Sequence, residues 1–170
     1  DHSDIVVVAD SLYISAGNSN KVLVYHSFPQ GPDQAPDFAI GSPDIDTNTL
    51  RTSFIVTNPK VESNGKSLFV SSDLDRRLLV WKELPDESNA RPDIVYTLVD
   101  FQALDGALWG DSFVLAGGKA VHYWSTLPLD GQIPDLTLQE GVGSVRFESL
   151  QAVAMDDQYF YLGDRGAKKV

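Results

Sequence analysis

The chain of 170 residues carries 13 Lys and Arg against 24 Asp and Glu, a formal net charge of −11 with an isoelectric point near 4.4. So acidic a surface favours solubility and repels polyanions, and its basic residues form no cluster beyond Arg76-Arg77 and Lys168-Lys169, so nucleic acid is not an expected partner. No run of ~18 apolar residues is present to span a membrane, and the lack of cysteine removes disulfides, thiolate chemistry and zinc–thiolate sites.

In chain order, residues 5–9 are apolar, Asp10-Ser11 turns the chain, and residues 12–15 form a second run. A loop over 16–20 leads to a third run at 21–28 and a fourth at 38–40, closed by Gly41-Ser42-Pro43. These runs are β-branched and aromatic and are bounded by Gly, Pro, Asn and Asp, the signature of strands. Apolar residues nowhere recur at helical spacing over two turns, so the expected fold is all-β.

The four runs then repeat. Tyr25, Trp81 and Trp124 share a register with Pro29, Pro85 and Pro128, and each unit goes on to a Pro-Asp pair, Pro36-Asp37, Pro92-Asp93 and Pro134-Asp135. Upstream, Tyr13, Phe69 and Tyr161 precede Val22, Leu78 and Val170 at one spacing, while the third unit has lost one residue and offers Phe113. The units cover about 4–44, 53–99 and 104–139, with an incomplete one over about 148–170. In the third run Val22 and Val24 lie on one face, Leu23 and Tyr25 on the other. A strand apolar on both faces must be covered on both sides. Four-stranded antiparallel blades packed radially into a β-propeller meet that need and explain the repeat, which a β-sandwich does not.

The segments Asn20-Lys21-Val22-Leu23-Val24-Tyr25, Ile40-Gly41-Ser42-Pro43-Asp44 and Arg76-Arg77-Leu78-Leu79-Val80-Trp81 carry a family resemblance, with looser matches at 119–124 and 168–170. On these residues the chain resembles the NHL-repeat propellers of the bacterial branch. The loop aspartate of that repeat stands here as Asp164, while the equivalent places hold Ala16 and Ser72, and the third unit lacks the basic residue. The resemblance implies six blades, which at about 45 residues each need roughly 270 residues. About three and a half are present, the rest coming from the same longer chain or another copy. It also implies an exported protein, extracellular, periplasmic or at the cell surface. The opening at Asp1, without initiator Met or signal peptide, suits a processed protein or an excised piece.

Candidate chemistry is sparse. Asp44, Asp46 and Asn48 have the alternating oxygens of a calcium loop, but Thr49 stands where a Gly is wanted and Ile55 where the bidentate Glu belongs, so turn capping is expected. Propeller enzymes that the family resembles in fold hold a tunnel metal, yet His2, His26 and His122 occupy three different repeat positions. His122 is read as a satisfied buried histidine, the other two as surface groups. Gly117-Gly118, Asp105-Gly106 and Asp130-Gly131 read as turns, and Asp156-Asp157 as a turn pair matching Asp10-Ser11 and Asp111-Ser112. Tyr25, Trp81 and Trp124 read as packing aromatics, since stacking on a sugar would require exposure.

What remains is the face formed by the loops between second and third strands: Asn18 and Asn20, then Asp73, Asp75 and Arg76, then Asp164 and Arg165. Their mixed polarity suits protein or glycan contacts. The expectation is a non-enzymatic binding or scaffolding module with no catalytic residue and no cofactor. The alternatives are a metal-dependent lyase or lactonase with Ca or Zn in the tunnel, and a structural subunit completed by neighbouring chains.

Overall fold

The computed structural model describes residues 4–47, 54 and 56–170. The positions of His2, Asn48, Thr49 and Ile55, and the start of the second unit near residue 53, lie outside the described residues.

Three four-stranded antiparallel meanders follow one another. The first is β1 (Ile5–Val8), β2 (Ser11–Ala16), β3 (Lys21–Tyr25) and β4 (Phe38–Ile40). The second is β5 (Lys60–Ser63), β6 (Leu68–Ser72), β7 (Arg77–Trp81) and β8 (Ile94–Thr97), and the third β9 (Asp105–Trp109), β10 (Ser112–Gly117), β11 (Ala120–Trp124) and β12 (Leu136–Gln139). A small hairpin, β13 (Gly141–Val142) with β14 (Val145–Arg146), leads to a two-stranded sheet of β15 (Leu150–Met155) and β16 (Phe160–Asp164). The expected blades are present as sheets; the β13–β14 hairpin carries no repeat signal.

Strand alternation explains the doubly apolar third strands. On β7, Leu79 and Trp81 join Val22, Val24, Phe38, Phe54 and Val70 between the first and second sheets. Leu78 and Val80 turn the other way and pack with Phe69, Phe113, Leu115 and Trp124 between the second and third. A third cluster, with Val114, Val121, Leu150 and Val153, joins the third sheet to β15–β16. Each fully buried side chain of this kind contributes about 1.5–3 kcal/mol. Aromatic contacts cross the second seam too, Phe69 to Phe113 at 5.1 Å and Tyr96 to Trp124 at 6.4 Å between ring centroids.

The first strands β1, β5, β9 and β15 stand side by side, and carboxylates staple two of these junctions. Asp4 accepts the Val61 amide at 3.0 Å and Asp105 accepts the Val153 amide at 2.8 Å. Asp105-Gly106 is therefore not a turn. Both residues are paired in β9, with Asp105 opposite Ala116 and Gly106 opposite Leu115, because the Asp side chain is needed to reach the next blade.

Smaller corrections concern register. Phe113 faces Trp124 as Leu12 faces Tyr25, so the place of Tyr13 and Phe69 is taken by Val114. The third unit is two residues shorter, both missing from its second loop: Gly117 pairs with Ala120 and the turn is Gly118-Lys119. The third strand ends at Tyr25 rather than at residue 28, since the His26 amide leaves the ladder for the Asp37 carboxylate at 2.7 Å. Ser11 pairs with Val8, which moves the first turn to Ala9-Asp10. With Met155 opposite Phe160 as Val7 is opposite Leu12, Asp156-Asp157 fall two residues before the places of Asp10-Ser11. Asp156 still caps its turn, accepting the amides of Gln158 and Tyr159 at 2.9 and 2.8 Å.

Candidate functional site: the loop face

The loops between second and third strands and the segments that lead into each first strand meet at one end of the sheets. The Ser72 hydroxyl accepts the Thr57 amide at 2.8 Å, and Asp164 accepts the amides of Glu148 and Ser149 at 2.7 and 2.8 Å. Ser72 and Asp164 hold the same repeat position and do the same work, tying the second strand to the segment before the first. Asp164 is held below the ordinary carboxylate range, first by the Ala167 amide and then by Glu148.

The seven loop residues divide by burial. Asn18, Arg76 and Arg165 are exposed, Asn20 and Asp75 half-buried, Asp73 and Asp164 buried. Asn20, Arg76 and Lys168 end their loops at φ of 51°, 53° and 55°, so this repeated position serves left-handed turn geometry before it serves a ligand. Asp75 bonds Ser72 and Thr57 and lies 3.5 Å from Arg77. Asp73 accepts Asn58 at 3.1 Å and Gln102 at 3.4 Å through Oδ2, while its buried Oδ1 has no partner among the described residues. Beside it lies a cavity of about 30 Å³ lined by Asn58, Lys60, Leu104 and Gln151, room for one or two waters.

The short third loop shapes a larger feature. With only Gly118-Lys119 in the turn, no overhang covers the seam between the second and third blades. A cleft of about 430 Å³ opens there, with Arg76, Asp100, Gln102, Lys119, Gln139 and Glu140 in its lining. Its rim alternates in sign: Arg76 lies 3.8 Å from Asp100, and Lys119 lies 3.2 Å from Glu140. Gly117 at its floor has no space for a side chain, since a Cβ would run into the Gln102 carbonyl. Lys119, Asp100 and Glu140 escaped the sequence reading because the cleft comes from a deletion, not from a motif.

On the inner wall, Lys60 and Glu62 of β5 lie near Asp4 and Asp105. Glu62 is pushed up to about 8, first by burial and then by Asp4 and Asp105, with Lys60 opposing. Asp105 is raised chiefly by burial. His122 is half-buried, not a satisfied core histidine: it stacks on Phe101 at 4.2 Å and its Nδ1 has no partner among the described residues. Burial lowers its pKa. Among the described residues no group of three or more His, Cys, Asp or Glu is placed to share a metal ion. At the Asp44 corner, Asp44 accepts the amides of Asp46 and Thr47, and the Lys21 ammonium donates to the carbonyls of Ile45 and Thr47 at 2.7 and 2.9 Å. The Lys21 ammonium thus holds the backbone of the same corner by its carbonyls. No helix among the described residues is long and apolar enough to cross a membrane.

Trp81 and Trp124 are buried packing residues, as the repeat requires, and each indole N–H finds a carbonyl, of Ala90 and Gln132. Tyr25 is only half-buried, on the outer flank of the first blade.

Stacked four-stranded meanders with apolar seams define a β-propeller. The chain is similar to the crystal structure of Myxococcus xanthus glutaminyl cyclase, with a TM-score of 0.57 at 13% identity, covering 94% of this chain and 59% of that one. It is also similar to the β-propeller domain of Myceliophteria thermophila Cps50 (Swd1), with a TM-score of 0.54 at 14% identity, covering 89% of this chain and 43% of that one. The chain spans less than two thirds of the length of either structure. At such identities the likeness shows the fold alone. No protein-family model and no curated protein matches the sequence.

Proposed function

We propose that the chain is part of an NHL-type propeller of six blades that works as a binding or scaffolding module in an exported or cell-surface protein, engaging protein or glycan partners through its loop face. The observation that carries this reading is the 430 Å³ cleft between the second and third blades with its alternating rim of Arg76, Asp100, Lys119 and Glu140. The blade scaffold turns Asp164 inward as a cap on backbone amides and Asp73 inward onto the side-chain amides of Asn58 and Gln102, while the exposed groups differ from blade to blade, as on a surface that serves recognition rather than packing. Charges of both signs at close spacing fit an extended polypeptide with both signs of its own, and such rims set specificity and association rate more than affinity.

Selection of a displayed random-peptide library on the native protein tests it. The selected peptides should carry mixed charge and lose at least tenfold in affinity for the Arg76→Ala/Lys119→Ala double variant. Peptides that bind both forms equally would contradict a role for the cleft.

A second reading, a lyase or lactonase, draws support from Glu62, whose carboxyl is pushed up to about 8 beside Asp4 and Asp105 on the inner wall. Perturbed carboxyls of that kind cluster at catalytic sites. Calcium- or zinc-dependent turnover of ester or amide substrates, lost in Glu62→Gln, would favour it.

A further inference from the structure

The seam between the second and third blades departs from the repeat at two places, and both sheets that border it have all four strands. The first departure is Lys60. Asp4 and Asp105 hold one repeat position at the start of their first strands, and each staples its blade to the next through a backbone amide. Strand register puts Lys60 at that position in the second blade, opposite Ser71 as Asp105 is opposite Ala116. An ammonium accepts no hydrogen bond, so Lys60 cannot staple the second blade to the third. The second departure is Asp73. The residue after the second strand is Gly17 in the first unit, Gly118 in the third and Arg165 in the fourth, so only the second places a carboxylate there.

Both residues line the cavity of about 30 Å³ where the second, third and fourth blades meet at the loop end of their first strands. Asp73 is 5% exposed, and its buried Oδ1 has no partner, whereas Oδ2 takes the side-chain amides of Asn58 and Gln102. The Lys60 ammonium makes no hydrogen bond or ion pair among the described residues. Opposite charges thus share one small polar space without pairing. Water alone calls for neither residue, since glycine and aspartate serve at these places in the first and third units. Leu104 walls both this cavity and the loop-face cleft, and Gln102 reaches from the cleft lining to Asp73. A chain lying in the cleft therefore passes the cavity.

We propose, resting on the loop-face cleft as the polypeptide site, that this cavity takes the side-chain carboxamide of an asparagine or glutamine in the bound polypeptide. The amide NH₂ donates to Asp73 Oδ1 and the amide oxygen accepts from the Lys60 ammonium, so one neutral group satisfies both. Its nitrogen and oxygen take the places of the two waters for which the cavity has room, and a hydroxyl fills only half of it. An ammonium or guanidinium is repelled by Lys60 and a carboxylate by Asp73. An apolar side chain strips both of water and returns no hydrogen bond.

The side-chain amide signals of Asn58, Gln102 and Gln151 report on the cavity by NMR. The native protein is titrated with acetamide, ethanol, n-butylammonium and acetate. Acetamide should move those signals saturably and the other three should not. The Asp73→Gly/Lys60→Asp double variant, which restores the residues of the first and third units, should melt as the parent does and show no response. Asp73→Asn, of the same shape, should weaken the response at least fivefold. Peptides selected on the native cleft should share one Asn or Gln, and its change to Ala should cost at least tenfold in affinity for the native protein but under twofold for the double variant. Saturation by ethanol or n-butylammonium instead of acetamide overturns the assignment, as does an acetamide response that survives in the double variant. Silence to all four probes, with water as the occupant, also overturns it, and so do tight cleft peptides with no carboxamide in common. A protein that answers acetamide yet selects no peptide supports the cavity as a carboxamide site and overturns the cleft reading alone.

Discussion

Asp105 of the third blade accepts the backbone amide of Val153 in the fourth at 2.8 Å. The side chain replaces a ladder bond where two first strands stand next to each other without pairing. Asp4 does the same for Val61 at 3.0 Å, which makes the contact a repeated device between inner strands. Removal of the carboxylate leaves a buried amide with no acceptor. Asp105→Ala should lower stability to urea by about 1–3 kcal/mol, and Asp105→Asn, which keeps one acceptor oxygen, by less than half as much. Equal losses for the two variants would show that the charge, not the acceptor, matters.

Glu62 gives the fold a pH dependence of definite sign. Its carboxyl rises from 4.5 to about 8 in the native state. Between those values the native protein holds a proton that the unfolded chain has released, so stability is full in acid and falls as pH rises from about 5 to about 8. Glu62→Gln keeps the neutral shape and removes this titration. Its melting temperature should match that of the parent near pH 4.5 and exceed it at pH 8.5 by roughly 8–16 °C, on the order of 4 kcal/mol. A constant difference across that range would exclude Glu62 as the source.

The two glycines under the cleft should respond differently to the same change. Gly117 meets the Gln102 carbonyl at once, so Gly117→Ala must force the seam between the second and third blades apart, at a cost of about 3 kcal/mol. Gly118 has open space and only its φ of 59° to satisfy, so Gly118→Ala should cost about 1 kcal/mol. Thermal melts of both variants check the ranking.

Lys21 and Asp44 complete the first corner without a metal. Addition of millimolar calcium should leave the melting temperature unchanged, because the Asp44 oxygens already accept Thr47 and Asp46. Lys21→Met should lower stability by about 2 kcal/mol, through the stranded carbonyls of Ile45 and Thr47. A calcium-dependent rise in Tm would reverse the reading of this corner.

The blades were legible in the sequence because packing repeats: Tyr25, Trp81 and Trp124 do hold one register, and Val22, Leu78 and Val121 do start the same strand position. The candidate sites were less so. Asp73 and Asp164 read as surface loop groups, yet both are buried, Asp164 capping backbone amides and Asp73 taking the side-chain amides of Asn58 and Gln102, and composition cannot tell an inward Asp from an outward one. Asp105-Gly106 has a turn signature and lies in a strand, because the contact that requires Asp105 comes from residue 153, far along the chain.

Nuclear Overhauser contacts between aromatic rings test the stacked-blade architecture most directly. Phe69 with Phe113, and Tyr96 with Trp124, join rings of the second and third sheets at centroid distances of 5.1 and 6.4 Å. A propeller requires both cross-peaks together with the antiparallel pattern of Phe69 opposite Val80 and Val114 opposite Tyr123. Strand patterns without the two inter-sheet contacts would mean that the meanders pack some other way, and the loop-face cleft between them would not exist.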